Sequence, residues 1–387
     1  MEHFFAPCPR GLENLLVEEL DAAGAQATHG VHGGVAFGGD WATCYRANLH
    51  SRLATRILWR LAEAPYEREE DIYRLAFRQP WEQYFAVTST FRVQTTAHHS
   101  PLKSVDFVTL RVKDALCDRF RDDCGERPSV DTRAPEVRVQ VFLTAQTCTL
   151  YLDTSGAPLW QRGLRRASVE APLKENLAAG ILRLTGWQPG MPLVDPMCGS
   201  GAFLLEAACM ALSRAPGLER VCFGFEALKT YRREVWQSVR NAALNAVQET
   251  RFLQLWASDK DKKAVRATRH NLRAAGLEGA VEVAERDFSD LVAPAGTGIL
   301  IANPPYGERM GELDQLAELY PAMSGVLKRQ FPGWRAFFLT ADNRFPKLLR
   351  LKPSRKIPLM NGPLECRLYE IALVAGSNRE QKPTGGL

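Results

Sequence analysis

The sequence predicts an α/β protein whose C-terminal half is a mostly parallel sheet with helices on both faces, preceded by smaller α+β domains. After residue 190, short apolar strands are separated by helical stretches, which is typical of such a sheet. The strands read "PLVD", "FLQLWAS", "VEVAE", "GILIAN" and "WRAFFLTA". Further on, "SRKIPLMNGPLECRLYEIALV" has two strand-like runs joined by Asn361-Gly362-Pro363, so an antiparallel hairpin is expected to complete the sheet.

The N-terminal residues predict two compact α+β domains. Residues 3–64 contain the order β-α-β-β-α-β, with a helix at "GLENLLVEELDAAG" and strands at "HFFAPC" and "GGVAFGG",. Residues 65–155 continue with the helix "VDFVTLRVKDALCDRFRDD" and the strands "VRVQVFLT" and "TCTLYLDTSG", whose period of two indicates a half-buried sheet. A basic stretch then leads into the last domain.

Composition excludes several classes of protein. At 387 residues the chain is too long for one ordinary core. Its apolar stretches are shorter than the roughly 20 residues that span a bilayer, and the start lacks the features of a secretory signal, so we expect a cytoplasmic protein with no membrane segment. Nine cysteines without a C-x-x-C pair argue against a disulfide framework and a zinc site. The net charge of +5 permits a polyanionic partner.

A glycine-rich turn follows the first strand of the C-terminal half. "PLVDPMCGSGAFLLEAA" places Asp195 at the end of a strand and Gly199, Ser200 and Gly201 before a helix, which lets a ligand approach the backbone closely. A dinucleotide site would favour a third glycine where Leu204 stands, and an acid suits a phosphate poorly. The turn therefore indicates a ligand with an ammonium group.

Two further acids end the next two strands. Asp259 in "QLWASDKD" and Asp287 in "AERD" are expected beside Asp195, because ligands of doubly wound sheets lie beyond the carboxyl ends of the strands. Asp259 is suited to ribose hydroxyls and Asp287 to an adenine amino group. A ligand with an ammonium, a ribose and a base matches S-adenosyl-L-methionine. The alternative for each acid is a helix cap or loop stabiliser.

The strand "ILIA" runs into Asn303, Pro304, Pro305 and Tyr306. Both prolines lack an N–H, so the carbonyls of Asn303 and Pro304 need not pair locally. With the Asn303 side-chain oxygen, these acceptors suit both hydrogens of a planar exocyclic NH₂, and Tyr306 offers a face for a base to stack on. The alternative is a turn that only ends a strand.

These residues resemble those of a known family. "DPMCGSG" and "NPPYGER" are similar to motifs of Rossmann-like class I methyltransferases that act on amino groups. The whole chain resembles THUMP-domain methyltransferases, and within them the bacterial 23S rRNA guanine-N2 methyltransferase family. A longer form of that family carries a second methyltransferase domain, and this chain resembles the short form without it.

The resemblance implies a domain order and a set of site residues. It predicts a ferredoxin-like domain at 1–64, a THUMP RNA-binding domain at 65–160, a methyltransferase domain at 161–380 and a tail at 381–387. It assigns the cofactor to residues of the glycine turn, two further acids and the amide after the fourth strand. These are Asp195, Pro196, Cys198, Gly199, Gly201, Asp259, Asp287 and Asn303. The catalytic corner is Asn303, Pro304, Pro305 and Tyr306.

The sequence thus predicts S-adenosyl-L-methionine-dependent methylation of a guanosine N2 amine in 23S rRNA, with naked rRNA or an assembling ribosomal particle as substrate. One alternative is N6-adenine methylation of DNA or RNA, because the same corner suits an adenine amine. Another is a non-catalytic RNA-binding ribosome assembly factor. No metal site is expected, because the pairs His29 with His32 and His98 with His99 lack further ligands at a supporting spacing.

Three features stay open at this level. Cys198 as a nucleophile would indicate carbon-5 methylation of a pyrimidine, which the exposed corner disfavours. The basic group Arg162, Arg165, Arg166 and Lys174 either neutralises RNA phosphates or forms a solvated linker face. The insertion near residues 210–250 is longer than usual for a strand-helix-strand connection, and either shapes an RNA entrance or is a helical excursion.

Overall fold

The computed structural model describes residues 1–167, 173–305 and 312–374, with only the backbone described for 312–317. The predicted tail at 381–387 and Tyr306 lie outside the described residues. The chain forms two compact units. The first comprises residues 1–162 and 215–247, and the second comprises 163–214 and the residues from 248 onward.

The first unit is built on one seven-stranded sheet in the order β2-β3-β1-β4-β7-β6-β5. Its strands are β1 (Glu2–Pro7), β2 (Gln26–Val31), β3 (Gly34–Gly39), β4 (Leu58–Pro65), β5 (Phe91–Ala97), β6 (Val137–Leu143) and β7 (Thr147–Asp153). Its helices up to residue 162 are α1 (Glu13–Ala22), α2 (Trp41–His50), α3 (Glu69–Phe77), α4 (Trp81–Tyr84) and α5 (Val105–Cys124). The β-α-β-β-α-β order predicted for residues 3–64 is confirmed.

The two predicted N-terminal domains share this sheet. Strand β4 pairs with β1 on one side and with β7 on the other, both antiparallel. The backbone hydrogen bonds of the sheet therefore run from residues 1–64 into residues 65–160 without a break. A strand predicted at the end of the first domain thus also pairs with a strand of the second, and the division into two α+β domains at 1–64 and 65–160 stays a prediction.

The insertion packs within the first unit. It contains a 3₁₀ helix (Gly224–Ala227) and α8 (Arg233–Asn245), and it has an aromatic core. Tyr45 of α2 lies 4.5 Å from Phe225 and 6.1 Å from Trp236, measured between ring centroids. The Tyr45 hydroxyl also accepts a hydrogen bond from the Arg232 N–H at 2.9 Å. The insertion is thus a helical segment whose buried aromatic rings pack against α2. A role at an RNA entrance stays a prediction.

The second unit has a seven-stranded sheet in the order β10-β9-β8-β11-β12-β14-β13. Its strands are β8 (Leu193–Asp195), β9 (Leu255–Asp259), β10 (Val281–Glu285), β11 (Ile299–Ala302), β12 (Arg335–Thr340), β13 (Arg355–Asn361) and β14 (Leu364–Ala372). Its helices are α6 (Glu175–Thr185), α7 (Ala202–Ala211), α9 (Lys262–Ala274), α10 (Glu312–Gln330) and α11 (Phe345–Leu349), with a 3₁₀ helix at Phe288–Asp290. Strands β8 to β12 are parallel, and β13 and β14 form the predicted hairpin, with Asn361 opposite Leu364.

Two of the four residues of the predicted basic linker group are internal. Arg162 is 2% exposed, and its Nη2 donates to the Arg52 carbonyl at 2.7 Å. The Arg165 side chain is 8% exposed and pairs with Glu175 at 3.3 Å. For Arg162 and Arg165, both hypotheses, RNA phosphate binding and a solvated linker face, were therefore wrong, because their guanidinium groups bind carbonyls and a carboxylate inside the fold,. Arg166 and Lys174 are exposed.

None of the helices within the described ranges is long and apolar enough to cross a membrane.

Candidate active site

The order of the strands brings the predicted site residues to one edge of the second sheet. Asp195 ends β8, Asp259 ends β9, Asp287 follows β10 and Asn303 follows β11. The chain moves from β8 outward through β9 to β10 and returns to β11 on the other side of β8. A crevice forms at such a reversal. Asp195 and Asn303 stand on its two sides, because β8 and β11 are hydrogen-bonded neighbours.

The turn after β8 has the backbone conformation that the glycines predict. Gly199 has φ 54° and Gly201 has φ 83°, which is the left-handed region that side chains other than glycine seldom adopt. A Cβ atom at Gly201 would also lie 3.0 Å from Cγ2 of Thr268. Glycine is therefore required there twice over, by conformation and by contact with helix α9.

Helix α9 holds this turn with two buried polar side chains that the sequence analysis missed. The Thr268 hydroxyl donates to the Gly199 carbonyl at 2.9 Å, and the Asn271 amide donates to the Ser200 carbonyl at 3.0 Å. Thr268 and Asn271 are three residues apart and both are 0% exposed. The sequence does contain a signal for these two residues, because Thr268 and Asn271 interrupt the apolar face of an amphipathic helix at helical spacing.

Asn271 uses its whole hydrogen-bonding capacity. Its Oδ1 accepts the N–H groups of Arg166 and Ala167 at 2.9 and 2.8 Å. Its Nδ2 donates to the carbonyls of Ala167 at 2.7 Å and Ser200 at 3.0 Å. Two acceptor and two donor positions are all that an asparagine side chain offers. Asn271 thus joins the glycine turn to the segment that enters this unit.

Asp195 is buried, with 1% of its surface exposed. Its Oδ1 accepts the Met197 N–H at 3.2 Å. Burial raises its pKa well above the usual value, and the negative charge of Asp259 raises the pKa further. Among the described residues, the charged group that acts on Asp195 is another acid. A cationic ligand such as an ammonium or a sulfonium would favour the ionised form of Asp195, so the corner beside the glycine turn fits such a ligand.

Asp259 and Asp287 also shape the loops at this edge. Asp259 Oδ2 accepts the Gly199 N–H at 3.1 Å, and its Oδ1 accepts the Asp261 N–H at 3.0 Å. Asp287 is exposed and caps the short 3₁₀ helix by accepting the Ser289 N–H at 2.9 Å. That hydrogen bond is the main reason why the pKa of Asp287 is lowered. Capping does not occupy a whole carboxylate, so contact with a ligand stays a prediction for both acids.

Cys198 lies in the glycine turn but is poorly suited to act as a nucleophile. Its side chain is 5% exposed and lies 3.5 Å from the Thr268 hydroxyl oxygen. Burial raises the pKa of the thiol strongly, and the charge of Asp195 raises the pKa further. A thiol in these surroundings stays protonated near neutral pH, and the thiolate is the reactive form. The geometry therefore disfavours carbon-5 chemistry through Cys198.

The corner after β11 changes from buried to exposed within three residues. Strand β11 is buried throughout, Asn303 is half-buried, Pro304 is buried and Pro305 is exposed. Each proline lacks an N–H, so neither can extend the ladder toward β8 or β12. The corner thus turns away from the sheet at the crevice. Tyr306, predicted to stack on a base, lies outside the described residues, and Pro196 lies buried in the glycine turn.

Within the described part of the chain, no three His, Cys, Asp or Glu side chains are grouped so that they could hold a metal ion.

Residues 162–370 match the RMKL-like methyltransferase domain family. The chain belongs to this family. Residues 66–153 match the THUMP domain and residues 3–58 match the RlmL ferredoxin-like domain. The family resemblance and the predicted fold class are therefore confirmed: a class I methyltransferase domain follows ferredoxin-like and THUMP domains. The domain limits given from the sequence stay a prediction.

Three similar proteins illustrate the family. The Synechocystis sp. protein slr0064, provisionally named an RNA methyltransferase, is 37% identical over 96% of both chains. Ribosomal RNA large subunit methyltransferase K/L of Aeromonas salmonicida is 38% identical over 98% of this chain and 56% of its own length. The chain thus spans about half the length of that relative. The crystal structure of SMU.472, provisionally named a methyltransferase and complexed with SAH, is 30% identical over 97% of this chain and 99% of that chain, with a TM-score of 0.88.

Proposed function

We propose that the protein transfers a methyl group from S-adenosyl-L-methionine to the exocyclic N2 amine of a guanosine in 23S rRNA. One observation carries the proposal: the glycine turn that begins at Asp195 and the Asn-Pro-Pro corner follow β8 and β11, which are hydrogen-bonded neighbours in the sheet. The names of the K/L relatives support large-subunit rRNA as substrate. The SAH complex of SMU.472 supports the cofactor.

The residues of the glycine turn would hold the cofactor. Asp195 offers a buried carboxylate to its ammonium group, and the low dielectric of a buried site strengthens the attraction between the two charges. Gly199 and Gly201 leave room at the backbone, while Asp259 and Asp287 offer oxygens to ribose hydroxyls and to the adenine amino group. When bound, S-adenosyl-L-methionine supplies an electrophilic methyl group on its sulfonium.

The Asn303-Pro304-Pro305 corner would hold the acceptor amine. The side-chain oxygen of Asn303 and the carbonyl of Pro304 accept the two hydrogens of an NH₂ group. An exocyclic amine is a weak nucleophile because its lone pair is delocalised into the ring. Acceptors that fix its hydrogens orient the nitrogen and stabilise the positive charge that develops on it. A duplex base cannot reach such a corner, so the guanosine is turned out of its stack.

The test is methyl transfer from labelled cofactor to unmodified 23S rRNA transcribed in vitro, followed by digestion to nucleosides and mass spectrometry. N2-methylguanosine in the wild-type reaction supports the proposal. N6-methyladenosine would reject the guanine assignment in favour of the adenine alternative. Binding of rRNA without transfer, and unaffected by Asn303→Ala, would favour a non-catalytic assembly factor.

The form of the rRNA substrate is part of the same test. Protein-free 23S rRNA and assembling large-subunit particles from a strain that lacks the gene are assayed side by side. Faster transfer to the particles would identify an assembly intermediate as the substrate. A cytoplasmic location stays a prediction, and it is based on the proposed action on rRNA.

A further inference from the structure

The first unit contains a polar cavity of about 240 Å³ that the methyl-transfer site does not explain. It lies against strands β5 and β6 and the loop after β7. Its lining consists of three arginines, three glutamines and the start of the loop, namely Arg56, Arg92, Arg138, Gln94, Gln140, Gln161 and residues 156–158. The lining side chains are donors of hydrogen bonds, and the three guanidinium groups carry positive charge.

The sheet places the arginines side by side. Strands β5 and β6 are parallel, with Arg92 opposite Arg138 and Gln94 opposite Gln140. The alternate residues of both strands, such as Val93 and Val139, are buried on the other face,. Like charges directly opposite each other on adjacent strands destabilise a sheet. In this fold Arg92 Nη1 donates to the Thr132 carbonyl at 3.1 Å, and Arg138 is attracted by the charge of Asp153.

The nearby carboxylate is already engaged. The Asp153 side chain is fully buried, and its Oδ1 accepts the N–H groups of Ser155 at 2.8 Å and Gly156 at 3.1 Å. Its Oδ2 is paired with Arg56. Burial is the main reason why the pKa of Arg138 is lowered; the negative charge of Asp153 opposes this shift, and the charges of Arg56 and Arg92 add to it. The cavity thus retains positive charge after its internal ion pair is formed.

The wall of the cavity is fixed by the insertion. Arg220 donates hydrogen bonds to the carbonyls of the loop that lines it, at distances from 2.7 to 3.3 Å. The accepting residues are Ser155, Ala157, Pro158 and Gln161. A loop held at four carbonyls by one guanidinium is preorganised, which lowers the entropy lost when a ligand binds.

We propose that this cavity binds a phosphodiester of the RNA substrate, with Arg92 and Arg138 contacting the phosphate oxygens. Guanidinium groups match phosphate geometry in a bidentate fashion. Gln94 and Gln140 donate to neighbouring ribose or phosphate oxygens, and Arg56 and Arg220 are positioning residues. The assignment rests on the proposed action on RNA, and it gives the THUMP-containing unit a defined point of contact with the RNA backbone.

The test measures binding of in vitro transcribed 23S rRNA to the full chain over a range of KCl concentrations. The variants are Arg92→Gln, Arg138→Gln and the double variant. Each single change is expected to weaken binding about tenfold. It also lowers the slope of log affinity against log salt by about 1. In methyl transfer, KM for rRNA rises while kcat at saturating rRNA and the affinity for SAH stay unchanged.

Arg121→Gln is the matched control. Arg121 lies on α5, is half-exposed and pairs with Asp118 at 2.8 Å. Helix α5 covers the other face of β5, where Thr109 contacts Thr95 at 2.7 Å. The control thus removes one arginine charge from the same unit without touching the cavity. Arg138→Gln removes both the repulsion from Arg92 and the attraction to Asp153, so the thermal midpoint of each variant is measured beside its affinity, and weaker binding at an unchanged midpoint is separable from unfolding.

The outcomes separate this inference from the proposed function. If wild-type protein methylates rRNA but the double variant keeps its affinity, KM and salt slope, the cavity assignment is wrong and the proposed function stands. If wild-type protein transfers no methyl group to rRNA, while the double variant loses rRNA affinity, the proposed reaction fails and the phosphate site stands. Binding of inorganic phosphate is measured for the wild type and the double variant as well. If the double variant loses phosphate binding but keeps its rRNA affinity, the cavity is a small-anion site and the RNA assignment is overturned.

Discussion

Replacing Asn271 by leucine should both destabilise the second unit and weaken the cofactor site. The change removes all four hydrogen bonds of a fully buried side chain. The Ser200 carbonyl would be left without a partner inside the fold, which costs about 1–3 kcal/mol. The three bonds to Arg166 and Ala167 involve backbone that water can reach, and each contributes about 0.5–1.5 kcal/mol.

These values give a loss of about 3 kcal/mol or more in the free energy of unfolding. For a unit of this size that corresponds to a fall of about 6–12 °C in the midpoint of its thermal transition. The affinity for SAH should fall with it, because Asn271 fixes the carbonyl of Ser200 in the glycine turn. Calorimetry measures the midpoint, and isothermal titration measures the SAH affinity.

Two companion variants sharpen this test. Asn271→Asp keeps two acceptors but loses both donors, so it should lose the bonds to the Ala167 and Ser200 carbonyls and keep those to the two N–H groups. His270→Ala changes the exposed neighbour on the same helix and should leave both measurements unchanged. A wild-type midpoint and wild-type SAH affinity in Asn271→Leu would refute the view that this side chain supports the turn.

Three other changes follow from the same structure. Asn303→Ala should lower kcat by roughly 10²-fold through loss of a preorganised acceptor, with unchanged SAH affinity; equal loss of SAH binding would instead indicate a structural role. SAH affinity should rise with pH up to the raised pKa of Asp195 in the ligand-free protein and level off above it, because a cation favours the ionised carboxyl,. In Asp195→Asn the SAH affinity, titrated across the same pH range, should lose this dependence. Asp259 and Cys198 are the other ionisable groups beside Asp195, and both are kept in this variant. Trp236→Ala should cost about 3 kcal/mol in the first unit, measured by denaturant unfolding, and an unchanged midpoint would contradict anchoring of the insertion by its aromatic core.

The insertion connects two parts of the sequence that fold in different units. It leaves the second unit after α7, contributes α8 and Arg220 to the first unit, and returns before β9. Its Arg220 supports the loop that lines the arginine cavity. A segment that lies within the sequence range of the methyltransferase domain thus supports the wall of a cavity in the THUMP-containing unit. The methyltransferase domain predicted over 161–380 stays a prediction, and the structure groups residues 215–247 of that range with the first unit.

Much of the candidate site could be predicted because its signals are local. Asp195, Asp259 and Asn303 each follow an apolar run that reads as a strand, and the glycines mark a turn whose backbone other residues rarely adopt. The crossover rules for parallel sheets then bring these strand ends to one edge. The buried arginines near residue 165 were misread because a charged residue in a linker looks exposed until its partners are known.

The sequence by itself determined the alternation of strands and helices, the glycine turn and the proline corner, because periodicity and backbone restriction act between near neighbours in the chain. Only the tertiary structure decided which polar groups meet. Asn271 bonds to Arg166, 105 positions away, and Arg220 bonds to Ala157, 63 positions away. The pairing of Arg92 with Arg138 likewise depends on the register of two strands separated by a helix. Such contacts are fixed by packing of the whole chain, which no local pattern specifies.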